Sequence, residues 1–600
     1  MAAPLTLRPV PLRAVEVRPG FWSGRMDANH HGVRVLYERL VEHGVVSNFQ
    51  PGADRRGLWF TDSDLYKWME AACYCLVRTP DPELSSKLDE AVSAVVGAQD
   101  ENGYLNTNFG PGNRFRDLGW SHELYCAGHL IQAGLALEAV LGQSDLLSAA
   151  RRFSDLIVAT FADGAREERD RHPVIEMALV DLSRHTHDDH YRALARSLCD
   201  RVGAQAWQRL WGHAVCALYF ACGLTDLALD GDTARAPLVS RLWDDLVTTS
   251  SYVTGGVGGR WVGESIGRPY ELPNEGAYAE SCSAVGAAQW AWRMLQLTGE
   301  AAVADQLERI VHNALLASVS LEGDSWFYAN PLGSSAAHEH HPFIEDVLTE
   351  QIAGPLPLSR LPWRDVTCCP PNVGRLLASV PAYCYLARPG ELRVVGYLPS
   401  RVRTGAFDVT VETAMPWAGD VRITVHRAPT GPAALTVRIP EWSAEVDAGS
   451  WRTYRREWRA DDVVELDLGV ETRLVRCDPH VPENRGCAAV QRGPFVYCAE
   501  QADQPSVDLA AIRLENLGTH QWRPELLGGI VTVGAAGRPA TRGSRLYGFV
   551  PLQRSTALGG QPVPAGGRAE VPLTLIPYFA WANRTPGPMV TWIPLGSAAR

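Results

Sequence analysis

The stretch Thr367-Cys-Cys-Pro-Pro-Asn372, continued by an amphipathic segment near 371–386 and then by Glu391-Leu-Arg-Val-Val-Gly-Tyr-Leu398, divides this chain into two kinds of structure. Before it, apolar residues recur at helical spacing; after it, they alternate with polar ones. Upstream lie amphipathic stretches near 27–44, 62–78, 83–99, 121–141, 145–161, 174–187, 189–203, 207–229, 234–249, 277–297 and 301–318, joined by connections rich in Gly, Pro and Asp. With 371–386 they make about twelve. A dozen antiparallel helices in one domain points to an (α/α)6 barrel over 21–387, with inner helices around a funnel. Asp62-Ser-Asp before Leu65, and Ser121 before His122, read as N-caps, because short polar side chains satisfy free helix amides. Downstream, Ala406-Phe-Asp-Val-Thr-Val-Glu-Thr413, Asp420-Val-Arg-Ile-Thr-Val-His426 and Ala434-Leu-Thr-Val-Arg-Ile-Pro440 show the period of half-buried strands. A β-sandwich is expected over 388–500, with a second small sandwich and C-terminal strands over 501–600. In segment 1–20, Thr6–Leu12 and Val15-Glu-Val17 read as strands that return to pair with the β domain. The expected class is multidomain α + β.

Six hundred residues exceed one ordinary core, and 46% hydrophobic with 8% aromatic content is that of a globular protein. The net charge of −12 comes from 56 basic and 68 acidic residues with no basic block, which argues against a nucleic-acid partner. Met1-Ala-Ala-Pro-Leu-Thr-Leu-Arg-Pro9 lacks the pattern of a secretory signal, and no run of about 18 apolar residues is evident. A cytoplasmic location without a membrane partner is therefore expected, and the thirteen cysteines are expected as free thiols.

Vicinal cysteines rarely bridge to each other, because the ring would be strained. Cys368 and Cys369, with Glu280-Ser-Cys282 elsewhere, supply three sulfurs and a carboxylate, the ligand types of a tetrahedral zinc site. Positions i and i+2 diverge on a regular helix, so Glu280 and Cys282 are expected on extended or turn backbone at a helix start. Adjacent thiols likewise converge only on irregular backbone, which Pro370-Pro371 favours. Cys73, Cys126, Cys199 and Cys216 read as buried small hydrophobes. The glycine-rich Tyr252-Val-Thr-Gly-Gly-Val-Gly-Gly-Arg260, leading to Glu264, has no following Gly-Lys-Ser/Thr and so is not a phosphate cradle. Its glycines allow unusual dihedrals near that acid. Histidines cluster at helix starts and in helices, at His122, His129, His172 and His213, with His122 and His129 two turns apart on one face. Nineteen tryptophans suit both a core and stacking against sugars.

These segments resemble glycoside hydrolase family 127, the zinc-dependent β-L-arabinofuranosidases. The resemblance rests on Ser63-Asp-Leu-Tyr-Lys-Trp-Met-Glu70, Gly103-Tyr-Leu-Asn-Thr107, His122-Glu-Leu-Tyr-Cys-Ala-Gly-His129, Gly263-Glu-Ser265, Glu280-Ser-Cys282, Asn330-Pro-Leu332, Cys368-Cys-Pro-Pro-Asn372, Gly493-Pro-Phe-Val-Tyr-Cys498 and Ile576-Pro-Tyr-Phe-Ala-Trp-Ala-Asn-Arg584. It implies an exo-acting, retaining hydrolase releasing L-arabinofuranose, with Cys368 as nucleophile and Glu264 as acid/base. It also implies zinc on Glu280, Cys282, Cys368 and Cys369, with His122, His172, His213 and Tyr328 contacting the sugar. Two other readings stay open: Glu264 paired with Glu275 or Glu280 as ordinary carboxylates, and a zinc-stapled carbohydrate-binding scaffold. Another pentose or a deoxy sugar as substrate, and a homodimer, also stay open. The loop 333–366, with His338, His340 and His341, matches nothing in the family; it reads as a solvated polar loop that alters specificity, with an extra metal cluster as the alternative.

Overall fold

The computed structural model describes residues 7–335, 360–540 and 569–596, apart from positions 163, 165, 167 and 586. His338, His340 and His341 lie outside the described residues. Twelve helices of nine residues or more occur among those described. In chain order they are α1 (Phe21–Glu42), α2 (Asp62–Arg78), α3 (Pro82–Gly97), α4 (Glu123–Leu141), α5 (Asp145–Phe161) and α6 (Ile175–Thr186). There follow α7 (Asp189–Arg201), α8 (Ala214–Leu229), α9 (Ala236–Thr249), α10 (Ser281–Thr298), α11 (Ala301–Arg309) and α12 (Cys369–Ser379).

The even-numbered helices pack in a closed circuit: α2 on α4, α4 on α6, α6 on α8, α8 on α10, α10 on α12, and α12 back on α2. The odd-numbered helices lie outside, each against at least one even-numbered neighbour in sequence. Sequence composition follows this division. The inner α8 is buried along nearly its whole length, whereas the outer α5 buries a stripe of Leu146, Leu147, Ala150, Phe153, Ile157 and Phe161. Inner helices approach closely: a Cβ on Gly128 of α4 would stand 2.9 Å from the Ile175 backbone nitrogen that opens α6. α4 is long and apolar enough to cross a membrane by length and composition alone, so the expected lack of such a segment does not hold. Its place in the inner circuit accounts for that apolarity, since most of its length is buried against neighbouring helices.

Neither expected N-cap forms. Thr61 precedes α2, and the Asp62 side chain instead accepts from the Thr107 amide at 2.7 Å and hydroxyl at 2.6 Å. Ser121 closes a short helix, Leu118–Ser121, and left-handed His122 (φ 51°) turns the chain into α4.

Two five-stranded sheets follow. One orders Arg8–Pro9, Tyr385–Arg388, Glu391–Val394, Ala433–Ile439 and Ser450–Arg456; the other orders Asp462–Asp467, Asp420–Arg427, Asp408–Thr413, Ser400–Arg403 and Val15–Val17. Each sheet thus takes one strand from the start of the chain. A nine-stranded sheet contains Thr472–Val475, Cys487–Arg492 and Phe495–Glu500 together with the C-terminal strands. A border at residue 500 would cut through this sheet, because Phe495–Glu500 pairs with Val571–Pro577; the change of sheet falls near 470.

Side chains lock helices to sheets. Arg438, fully buried on its strand, binds Asp305 and Glu308 of α11, and Trp442 donates to Glu308 at 2.7 Å. Asn313 binds the Pro494 carbonyl at 2.9 Å and the Val496 amide at 2.7 Å, tying the segment after α11 to the nine-stranded sheet.

Candidate active site and metal centre

The inner helices present their N-terminal ends to one mouth of the circuit. His122 precedes α4, His172 lies three residues before α6, His213 caps α8, Glu280 caps α10, and Cys368 caps α12. Together they line a cavity of about 530 Å³, within the range of small-ligand sites. Helix N-termini carry partial positive charge, so this mouth favours carboxylates and thiolates. Its wall is largely aromatic, with Trp59, Phe60, Tyr125 and Trp207 deeper and half-exposed Trp120 and Trp211 also lining it.

Glu280 has extended dihedrals (φ −57°, ψ 143°) and Cys282 follows within the first helical turn, the geometry their two-residue spacing requires. Cys368 and Cys369 differ from expectation. Cys368 has helical dihedrals (φ −60°, ψ −32°), and the two thiols converge because a helix begins there, not because the backbone is irregular. Cys282 Sγ stands 3.4 Å from Cys369 Sγ, and Cys368 Sγ 3.8 Å from Cys369 Sγ. Glu280 Oε1 is 3.8 Å from Cys368 Sγ and 3.5 Å from Cys369 Sγ. None of these is a disulfide distance, and all thirteen cysteines are free.

Zinc–sulfur bonds of about 2.3 Å give a tetrahedron edges of about 3.7 Å, so the observed separations fit a zinc ion bound by all four groups. The electrostatics agree. Burial pushes the Glu280 carboxyl and the Cys369 thiol well above their ordinary values; a hydrogen bond to Cys282 does the same for Cys368. Cys282 is also pushed up by burial, but its neighbouring thiols draw it down to about 6. Four crowded acids do not all ionise in a buried site unless a cation joins them. Lys67 of α2 contributes part of that charge. Burial opposes its ammonium, but Tyr125, Asp64 and the Cys282 and Cys368 thiols outweigh burial and raise its pKa. It donates to the Cys368 carbonyl at 3.2 Å and to Tyr125 at 3.2 Å.

Glu264 is delivered by the glycine-rich loop. Gly263 (φ 65°) and Glu264 (φ 49°) are both left-handed, and Arg260 clamps the loop through a bidentate bond to Glu271 at 2.6 Å. Ser265 pairs with His213 as a β-bridge, which holds the loop against the start of α8. His213 Nε2 lies 2.8 Å from Glu264 Oε2, and Tyr328 donates to Oε1 at 3.0 Å. Tyr278 donates to Glu264 and, at 3.1 Å, to Glu280. Burial raises the Glu264 carboxyl, but His213 charge and hydrogen bonding, with the two phenols, outweigh it and hold it at about 2. Burial works against charge on His213, yet Cys216 and Glu264 together raise its pKa well above the ordinary value. The His213–Glu264 pair therefore keeps one proton near neutral pH.

Tyr328 spans the two halves of the site, 3.9 Å from Cys368 Sγ and 3.0 Å from Glu264. His122 and His172 rings lie 5.5 Å apart, as do those of His172 and His213. The structure thus brings Cys368, Glu264, Glu280, Cys282, His122, His172, His213 and Tyr328 to one cavity, with Cys369 buried beside them, 3.4 Å from Cys282 Sγ. His129 is not among them: it sits buried inside α4, its ring 4.7 Å from Tyr125. Glu275 packs on Gly333 and lines a separate groove, so no Glu264–Glu275 pair forms. Tyr278 and Lys67 escaped notice. Tyr278 stands two residues before Glu280, and left-handed Ala279 (φ 33°) between them turns the backbone so that the Tyr278 hydroxyl reaches Glu280. Lys67 is a lone cation within a buried helix, three residues after Asp64.

Helix N-termini thus surround carboxylates, thiols and aromatic side chains at one mouth, the arrangement of an enzyme active site with a cluster able to hold a metal ion. Three family profiles match the chain in order. They are the GH127 catalytic domain of beta-L-arabinofuranosidase over residues 14–382, the GH127 middle domain over 391–470, and the glycoside hydrolase family 127 C-terminal domain over 472–594. The chain is 32% identical, over 89% of each sequence, to a non-reducing end beta-L-arabinofuranosidase of Bifidobacterium longum subsp. longum. A crystal structure of a GH127 beta-L-arabinofuranosidase from Geobacillus stearothermophilus T6 superposes with TM-score 0.87 at 30% identity, covering 97% of this chain and 100% of that one. A second GH127 beta-arabinofuranosidase structure gives 0.85 at 29% identity over 99% of each. The chain belongs to glycoside hydrolase family 127, and it is a glycoside hydrolase.

Proposed function

We propose that this enzyme is a retaining, exo-acting β-L-arabinofuranosidase in which Cys368 is the nucleophile and Glu264 the acid/base. We read the closed helix circuit as an (α/α)6 barrel, with the cavity as its funnel. The supporting observation is the Cys368 thiol held among Glu280, Cys282 and Cys369, with one phenol, Tyr328, between it and Glu264.

Zinc would be held by Glu280, Cys282, Cys368 and Cys369; with the ion bound, these thiols are thiolates at neutral pH and Cys368 has a fixed direction. In the first step Cys368 Sγ bonds to the anomeric carbon. The glycosidic C–O bond breaks, and the departing oxygen takes a proton from Glu264, which the pair with His213 supplies. Glu264 then removes a proton from water, water oxygen bonds to the anomeric carbon, and the C–S bond breaks. Two inversions retain configuration, as in two-carboxylate glycosidases, with a thiolate in the nucleophile's place. His122, His172 and His213 face the sugar's hydroxyl groups.

Cys368→Ser with metal analysis tests this. The variant should keep its metal through three remaining ligands and the serine, and lose activity on β-L-arabinofuranosides by on the order of 10⁴ or more. Full activity with metal retained would instead favour a Glu264–Glu280 carboxylate pair, the two being bridged by Tyr278.

A further inference from the structure

Beside the four-ligand centre, His172, His213 and Cys216 bring one ligand atom each to within 4.8 Å of one another. A point between three such atoms is at most about 2.8 Å from each, so movements of less than about 1 Å reach zinc–nitrogen and zinc–sulfur bond lengths. Metal-bound histidines characteristically donate their second ring nitrogen to a carboxylate or a backbone carbonyl. Both histidines here are arranged in that way. His172 Nδ1 lies 3.3 Å from the Pro173 carbonyl, which leaves Nε2 as the free ligand atom. His213 Nε2 is engaged by Glu264 at 2.8 Å, and its Nδ1 is buried without a hydrogen-bond partner. Cys216, one turn into α8 from His213, interacts with that ring and opens onto the cavity.

We infer that His172, His213 and Cys216 form a second divalent-cation site, suited to thiophilic ions such as zinc, cobalt or cadmium, at which binding inhibits the enzyme. Two imidazoles and one thiolate are the donor set for such ions, and three protein ligands leave a fourth position open to water. An ion there occupies the cavity between the histidines that line it. The binding itself stands on the geometry; the inhibition rests on this cavity being where the proposed reaction takes place.

The test uses the enzyme with its first metal equivalent bound and Cys216→Ala beside it. Titrating Co²⁺ into the zinc-loaded enzyme should give a thiolate-to-cobalt absorption band saturating at one added equivalent per chain, with zinc content unchanged. Cys216→Ala should lack that band while keeping its zinc equivalent and its thermal midpoint, which shows that it is folded. Excess Zn²⁺ should inhibit the wild type competitively with a nitrophenyl β-L-arabinofuranoside substrate, and Cys216→Ala should need at least about tenfold more zinc, equal to about 1.4 kcal/mol of binding. The absence of a second equivalent, or an identical band in Cys216→Ala, overturns the site. A second equivalent without inhibition overturns the inhibitory role of the site.

Discussion

Replacing Glu264 with Gln tests the acid/base assignment most directly. The amide keeps the shape of the carboxyl, but every neighbour of Glu264 is a donor: His213 to one oxygen, Tyr278 and Tyr328 to the other. One edge of the amide must present N–H to a donor, which loses at least one charge-assisted bond and costs about 1.5–3 kcal/mol of stability. The catalytic loss should depend on the leaving group. An alkyl β-L-arabinofuranoside expels an alkoxide that needs a proton, so its kcat/KM should fall by about 10²–10⁴, or about 3–5.5 kcal/mol. A nitrophenyl glycoside expels a stable anion and needs none. Its first step should be nearly unchanged, while water attack, deprived of its base, becomes slow. Stopped-flow measurement should therefore show a burst of nitrophenolate near one equivalent per chain, followed by slow turnover. Equal losses on both substrates without a burst would refute the reasoning, because general damage to the site does not discriminate between leaving groups.

Arg438→Met should lower the unfolding free energy by about 3–5 kcal/mol in urea titration, since it strands the Asp305 and Glu308 carboxylates in the helix–sheet interface; a change below 1 kcal/mol would contradict that. Gly323 (φ 91°) would place a Cβ 1.9 Å from the Ala28 carbonyl of α1, and Gly32 one 1.9 Å from the Gly323 carbonyl. Gly323→Ala should accordingly cost about 2–4 kcal/mol, read as a lower thermal midpoint. His122, His129 and His172 are held neutral, chiefly by burial, with His122 at about 4. The unfolded chain therefore binds more protons below its ordinary histidine value of 6.5, and stability is lost as pH falls through that value, by up to about 1.4 kcal/mol per pH unit for each. His213, raised instead, is charged in both states there and adds no slope. His129→Gln should flatten the slope between pH 6.5 and 5 by up to about 1.4 kcal/mol per pH unit, and an unchanged slope would reject this account.

Much of this was legible from local pattern. The change of period near 388 separates helices from strands, because side-chain direction repeats every 3.6 residues in one and every two in the other. The same pattern located all twelve helices, and the two-residue spacing of Glu280 and Cys282 placed them at a helix start. Helix ends were less legible: Asp62 looked like a cap but bonds to Thr107, 45 residues away.

What sequence determined by itself, then, was the supply of chemistry: thiols, a carboxylate beside glycines, and histidines at helix starts. Their meeting was decided only by tertiary structure. Cys368 reaches Glu280 across 88 residues, and Tyr328 reaches Glu264 across 64, because the inner helices close into a ring with their N-termini at one mouth. Closure depends on how whole helix faces pack, which no short window records. The same reason hid Tyr278 and Lys67, whose roles arise from what lies across the cavity. It also hid the change of sheet near 470, which follows from pairing between strands far apart in the chain.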